Sequence, residues 1–494
     1  MSTERRLVVL YHPEIFDGFY RFPISLLALA AVLEESPYEV IIVDANIEPE
    51  PLKRLETLAP AALCIGMTTM PGRQTMNAYR DSQYLKARFP DLPIVWGGYF
   101  ASMYPDVCLT SRAVDILVRG QGEITFTELL GRLAGSACDP DLTDLAGISY
   151  CNGDRIVHNP EQPMVKAYDF PPFPFWKLPV QRYINRMWLG DRTTFYVSSI
   201  GCTYNCSFCA IPVTLGERRW TGFPARRVLQ DIDYLLKTCH IDGLYFGDTN
   251  FFVDERRVRD ITQGLIERGS PINWWAEGVI GQLLRYDDST WEMLRESRCT
   301  GLFVGVESGS DEVLAMTVDN KTSREQAREF ARKCRRHGLF PEFSFVLGYP
   351  PEPEKDITAS VDFMYELKAI HPFSHLIPHI FTPLAGTDDY ALAQQYGFAH
   401  PRTMEEWIEG PWQEFSNMHG TRTPWLKPWT RRYLRHLDKV IWYKNLLETP
   451  NRPLVPVRPI GKELIKCFTR LRWRFRFFWF PYELAVFRRV ARFV

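Results

Sequence analysis

Wholly apolar runs alternate with stretches of helical spacing through the first 135 residues. Residues 7–11, 39–43, 62–67, 93–97 and 116–118 read as strands, and 24–35, 77–89 and 124–133 as helices. Strands that are apolar on both faces and separated by helices belong in a parallel sheet covered on each side, so the pattern predicts an α/β, doubly wound domain over 1–135. Residues 139–164 are more polar and carry a hairpin signal, 147–150 and 155–158 about Asn152-Gly153, a dipeptide suited to a turn with positive φ at both central positions. Pro171, Pro172 and Pro174 fall between Asp169 and Trp176 and exclude a helix there, because proline lacks an amide donor and restricts its predecessor. Residues 136–190 therefore read as a linker with a small hairpin. The alternation restarts near Thr194, with strands at 195–200, 243–247, 273–276, 302–306, 342–347 and 375–380 and helices at 225–237, 255–268, 289–296, 323–337 and 357–370. Six such units predict a partial (β/α)6 barrel over 191–400, its site at the C-terminal ends of the strands. Residues 401–494 lose the alternation and are expected to form a mostly helical, basic and aromatic extension.

Composition narrows the partners. Of 494 residues, 46% are hydrophobic and 24% charged, which is the makeup of a globular chain long enough for several cores. Fifty-eight Lys and Arg against 59 Asp and Glu leave a formal charge of −1, so no overall field attracts a polyphosphate and no nucleic acid partner is expected. The first residues lack a signal-peptide core and the apolar stretch 24–33 is too short to span a bilayer, so a cytoplasmic location is expected.

Eleven cysteines are present, and three of them, Cys202, Cys206 and Cys209, fall within eight residues directly after the first barrel strand. The other eight, Cys64, Cys108, Cys138, Cys151, Cys239, Cys299, Cys334 and Cys467, are isolated and read as small buried hydrophobes. No second Cys or His pair lies close by to complete a zinc tetrahedron. Three thiolates suit a cubane iron–sulfur cluster with one iron left open; zinc and incidental clustering remain the alternatives.

The C-x3-C-x2-C spacing, with Phe208 before the last cysteine, resembles the radical S-adenosylmethionine (SAM) superfamily. That resemblance implies a 4Fe–4S cluster whose open iron is chelated by SAM, and cleavage of SAM to a 5′-deoxyadenosyl radical. It also implies SAM contacts from Phe208, from Gly247 and Asp248 after the second strand, from Glu307 and Ser308 in Gly305-Val-Glu-Ser-Gly309 after the fourth, and from Gly348 after the fifth. A turn with an aspartate helix cap is the alternative for Gly247-Asp248, and a structural carboxylate for Glu307. The third strand ends in Trp275-Ala-Glu277, where many relatives carry an arginine, so the charge there is reversed.

The N-terminal domain resembles the cobalamin-binding domain that precedes many such barrels. The matching segments are Gly66-Met-Thr-Thr-Met70, Trp96-Gly-Gly-Tyr99 and Arg119-Gly-Gln-Gly-Glu123, all at C-terminal strand ends, the ligand edge of an open α/β sheet. The resemblance implies cobalamin contacts from Thr68, Thr69, Gly97, Gly98, Gly120, Gly122 and Glu123. The D-x-H-x-x-G motif that ligates cobalt in many cobalamin domains is absent, and His12 is read as structural. A domain that no longer binds corrin is the alternative.

Taken together, the resemblance implies a cobalamin-dependent radical SAM enzyme that methylates an unactivated carbon of a hydrophobic small molecule, lipid-like or tetrapyrrole, or of a natural product. Its electron donor would be a low-potential protein such as flavodoxin or ferredoxin. Oxidative cyclisation, as in the anaerobic magnesium-protoporphyrin ester cyclase, or ring rearrangement is the alternative chemistry, and a non-catalytic corrinoid or iron–sulfur binding module the alternative class. Residues 470–494 interleave seven arginines with aromatic side chains. Such a composition suits a peripheral contact with the anionic inner face of a membrane; a helix packed on the barrel with solvated arginines is the alternative.

Overall fold

The computed structural model describes residues 5–15, 18–135, 140–167, 170–318, 322–409, 412, 423–448 and 459–484. Five parallel strands, β1 (Arg6–His12), β2 (Tyr38–Asp44), β3 (Ala62–Thr68), β4 (Ile94–Gly97) and β5 (Ile116–Val118), stand in the order β2-β1-β3-β4-β5. The order reverses between β1 and β3, and at such a switch point the C-terminal strand ends open a ligand crevice. Alternation within the apolar strands explains the two-sided burial. Val8 and Leu10 face the helices Ile24–Val32 and Gly122–Gly135, while Val9 and Tyr11 face the opposite core with helix Arg73–Arg88.

The predicted hairpin forms as β6 (Ile148–Asn152) and β7 (Arg155–His158), but it is not freestanding. β6 pairs antiparallel with β5, extending the sheet to seven strands. Three residues of β5 leave a short edge, and covering it satisfies backbone groups that would otherwise lie open.

The barrel consists of β8 (Thr193–Tyr196), β11 (Gly243–Phe246), β12 (Asn273–Gly278), β13 (Cys299–Glu307), β14 (Phe340–Leu347) and β15 (His375–Ile380), parallel and adjacent in chain order. The expected single strand over 195–200 is divided. β8 ends at Tyr196, and β9 (Ser199–Gly201) leaves the barrel to pair with β10 (Trp220–Gly222). The cause is Asp248, whose carboxylate takes the amide of Ser198 out of the ladder.

Outward residues such as Leu244, Phe246, Trp274 and Val304 pack beneath the surrounding helices. The helix boundaries follow local chemistry: Asp254 caps Glu255–Glu267, a Ser323/Gln326 capping box opens Arg324–His337, and Pro353 begins Pro353–Ile370. Beyond the barrel lie the helices Asp388–Gln395, Met404–Trp407, Pro428–Glu448 and Pro459–Arg474. Phe398, Met404, Trp407 and Trp412 pack into the core around Phe100 and Tyr104, so the C-terminal extension clasps the first domain to the barrel.

Of the eight isolated cysteines, Cys64, Cys108, Cys239, Cys299 and Cys334 are buried as expected, but Cys151 is half-buried and Cys467 exposed. Cys467 lies on the solvent face of the last helix, where no core reaches it; Cys138 lies outside the described residues. Among the described residues no helix is long and apolar enough to cross a membrane.

The tail is anchored at its near end. Arg472 bonds Glu483 and the carbonyls of Phe477, Trp479 and Phe480, Trp473 stacks on Tyr365, and Phe478 is buried. Arg488, Arg489 and Arg492 lie outside the described residues.

Candidate active site

The cysteine loop leaves β9 and ends where Cys209 caps the helix Ala210–Leu215. Both of its shoulders are pinned. Asp248 is fully buried and accepts from the amide and hydroxyl of Ser198, the latter at 2.9 Å, and from the hydroxyl of Ser199. Arg257, also buried, donates to the carbonyl and hydroxyl of Ser198 at 2.9 and 2.6 Å and to the carbonyl of Phe223 at 2.8 Å. Burial pushes the Asp248 carboxyl up, opposed by the Arg257 charge and the serine bonds. At the far shoulder the Ser207 amide donates to the Thr317 carbonyl at 3.0 Å, and the Asp389 amide donates to the Ser207 carbonyl at 3.1 Å. Asp248 thus spends its hydrogen bonds on the approach to the loop. Arg257 was not singled out in the sequence; its signal is a charge placed beside Val258 and Ile261 on the buried face of an amphipathic helix.

At the end of β13, Glu307 has φ 69°, and the ladder to β14 shifts register between Gly305 and Glu307. A long side chain in the left-handed region is strained, and its carboxylate folds back over Gly305, where no Cβ would fit. Ser308 is buried and donates to Asp356 Oδ1 at 2.5 Å, while the amides of Gly348 and Tyr349 donate to Asp356 Oδ2 at 2.7 and 3.2 Å. One carboxylate therefore clamps the turns after β13 and β14 together. The close approach that Gly348 permits is that of Leu426. Asp356 was missed because an acid in the first turn of a helix is ordinary dipole chemistry.

Replacing Asp356 by Asn puts an amide donor against donors, and leaving buried donors unpaired costs about 1–3 kcal/mol. SAM affinity, measured by equilibrium dialysis, is expected to fall roughly tenfold, the lower end of that range.

On the facing domain, Thr68, Thr69, Gly97, Gly98, Gly120, Gly122 and Glu123 gather at the C-terminal ends of β3, β4 and β5. Thr69 donates to the Gly97 carbonyl at 2.8 Å and accepts from the Ala101 amide at 3.2 Å. Gly98 has φ 94°, and a Cβ there would lie 2.6 Å from the Thr69 carbonyl. Glycine at 98 is thus required by the protein's own Thr69 backbone, while Gly97, Gly98, Gly120 and Gly122 stay partly exposed along the edge, an open backbone surface that fits a corrin. Glu123 is buried in the first turn of its helix, which pushes its carboxyl up. His12 bonds Asp44 at 3.0 Å, and Asp44 accepts from Tyr183 at 2.8 Å, a network tying two strand ends to the linker, as the structural reading expects. Burial alone would raise the Asp44 carboxyl, but His12 and Asn46 hold it below its usual range.

Gly98→Ala is expected to lower the corrin-to-protein absorbance ratio well below wild type while iron content, set by the barrel loop, is retained.

The two edges face each other. Helix Tyr99–Met103 packs on the helix that follows Cys209, and a Cβ on Gly120 would approach the Thr214 carbonyl. Between them lies Tyr99, whose phenol is pushed up to about 12 by burial and then by Cys209 and Glu277. Among the described residues no three His, Cys, Asp or Glu side chains converge on one metal-ion position. Ligands of a cubane sit on separate irons and stand further apart than ligands of a single ion, so three thiols on one loop, Cys206 buried and Cys202 and Cys209 partly exposed, fit a cluster.

Comparison with known proteins agrees with both halves. The model of the radical SAM superfamily matches residues 196–364, and that of the B12 binding domain matches 18–130. An uncharacterized methyltransferase of Pyrococcus horikoshii is 26% identical over 75% of this chain and 78% of its own length. The anaerobic magnesium-protoporphyrin IX monomethyl ester cyclase of a Synechocystis species is 23% identical over 74% of this chain and 72% of its own. The structure of the cobalamin-dependent SAM radical enzyme OxsB, with aqua-cobalamin and SAM bound, superposes with a TM-score of 0.73 at 16% identity over 96% of this chain and 72% of its own, a likeness of fold. The chain thus carries a radical SAM domain behind a B12 binding domain, with a 4Fe–4S cluster, SAM and cobalamin as its cofactors.

Proposed function

We propose that this enzyme methylates an unactivated carbon of a hydrophobic small molecule. The observation that carries the reading is the packing of helix Tyr99–Met103, which leaves the glycine-rich edge, on the helix that leaves the pinned cysteine loop. When bound, the cluster and SAM supply the radical that removes hydrogen, and cobalamin supplies the methyl group. Cys202, Cys206 and Cys209 would hold the cluster; Asp248 and Arg257 position their loop; Phe208, Gly247, Glu307, Ser308 and Gly348 would line the SAM side; and Thr68, Thr69, Gly97, Gly98, Gly120, Gly122 and Glu123 would carry cobalamin. The aromatic and aliphatic barrel walls orient the substrate and exclude water.

The test is anaerobic reconstitution with a low-potential donor, flavodoxin or ferredoxin, followed by assay of 5′-deoxyadenosine and of label from methyl-labelled SAM. No SAM cleavage would reduce the protein to a binding module. Cleavage with an unlabelled, oxidised or cyclised product favours the second reading, which the cyclase relative supports.

A cytoplasmic enzyme touching the membrane through its last helix is part of this proposal. Leu464, Phe468, Leu471 and Phe475, spaced four, three and four residues apart, are 47%, 41%, 46% and 69% exposed and form one apolar stripe beside exposed Arg470 and Arg474. Cosedimentation with phosphatidylglycerol vesicles at low salt, lost in a Phe468→Ser/Leu471→Ser variant, is expected; equal sedimentation of both proteins refutes the contact.

A further inference from the structure

The inward faces of four neighbouring barrel strands form a continuous aromatic wall. Phe195 on β8, Tyr245 on β11 and Trp275 on β12 lie in register, with ring centroids 5.4 Å apart for the first pair and 4.2 Å for the second, and Phe303 on β13 follows at 5.6 Å from Trp275. The floor beneath is closed and its polar groups are paired: Glu342 accepts from Trp275 at 3.0 Å and bonds His375 at 2.9 Å, both residues being buried. Phe195, Tyr245 and Phe303 nevertheless stay partly exposed. Their strands carry helices on the other face, so this exposure is toward the lumen.

At the mouth of that lumen stands Glu277, the residue whose charge is opposite to the arginine expected there. It is partly exposed and its Oε1 accepts from the Tyr245 hydroxyl at 3.1 Å. The charges acting on it, Asp248 and Glu342, are both negative, and burial leads them in pushing its carboxyl up to about 7, with Tyr245 opposing. Arg21 acts on Tyr245 from the first domain. A carboxyl at the barrel mouth, bonded by Tyr245 and standing above a wall of aromatic rings, is complementary to a cation or N–H donor carried on an apolar ring, which would meet the wall edge to face.

We infer that Glu277 and the Phe195–Tyr245–Trp275–Phe303 wall form the substrate subsite, and that the substrate is a ring-bearing amine whose nitrogen is held by Glu277. Glu277 is then a positioning residue, holding the ring at the mouth of the barrel. The inference rests on the enzymatic reading above and names its substrate class.

Isothermal titration of the reconstituted holoenzyme, without reductant, tests it with three probes: 2-naphthylmethylamine, 2-naphthylacetate of the same ring but opposite charge, and butylamine without a ring. The naphthyl amine is expected to bind about tenfold or more tightly than either control, the effect of one lost charge-assisted hydrogen bond or one lost ring contact. Glu277→Gln should remove that advantage, Glu277→Asp should restore most of it, and both variants should keep wild-type affinity for SAM. Failure of the wild-type protein to bind the amine, equal binding of the acetate, or an unaltered affinity in Glu277→Gln overturns the subsite. Loss of SAM affinity in Glu277→Gln reassigns the carboxylate to SAM. Absence of 5′-deoxyadenosine formation by wild type would instead sink the radical reading and leave these binding results intact.

Discussion

Alanine at Cys202, Cys206 or Cys209 is expected to abolish 5′-deoxyadenosine formation and to remove iron from the reconstituted protein. Each thiolate would hold a different iron of the cluster, so losing one would release a cluster edge; among the described residues no group of His, Cys, Asp or Glu gathers into a ligand set that could replace it. Loss of an outer-shell partner costs a metal site about 10–100-fold, and loss of a ligand itself should exceed that. Iron determination and an SAM cleavage assay under a low-potential reductant check the result. A single alanine variant that keeps both its iron and its cleavage would remove that cysteine from the ligand set. The fold should tolerate the change, because the loop is held through Ser198, Ser199 and Ser207.

Arg257→Met is expected to destabilise the protein by about 3–5 kcal/mol, the cost of removing one partner from a buried charged network. The variant leaves the Asp248 carboxylate without the Arg257 charge that opposes its burial, and frees the carbonyls of Ser198 and Phe223. Because the same bonds hold the strand that feeds the cysteine loop, iron per chain should fall with stability. Adding Asp248→Asn removes the stranded charge, so the double variant should be more stable than Arg257→Met alone. Thermal unfolding of the apo-protein, with iron content measured in parallel, decides it. Additive losses would mean that the two side chains act independently.

The two sheets were legible because strand and helix periodicity are local. The apolar runs at β1 to β5 and the six barrel strands follow from which residues repel water, and their bounds moved by a few residues at most apart from the division at β8 and β9. Asp248 illustrates what was not legible. Its position after β11 was singled out as a SAM contact, yet its partners are serines 49 and 50 residues away, and no local pattern predicts which serine a buried carboxylate will find. Asp356 reaches Ser308 across 48 residues in the same way. The basic, aromatic tail shows the limit from the other side: composition cannot distinguish Arg472, consumed by Glu483 and three carbonyls, from exposed Arg474 two positions on.

By itself, then, the sequence determined the two α/β domains and the clustering of three thiols after the first barrel strand, because hydrophobic period and covalent spacing are written along the chain. Only the tertiary structure decided that helix Tyr99–Met103, leaving the glycine edge, packs on the helix that leaves the cysteine loop, that one aspartate clamps two strand turns, and that Glu277 stands over an aromatic lumen. Those arrangements depend on which distant residues share a dry neighbourhood, where a charge must be paired or a backbone donor satisfied, and that is set by packing rather than by proximity in sequence.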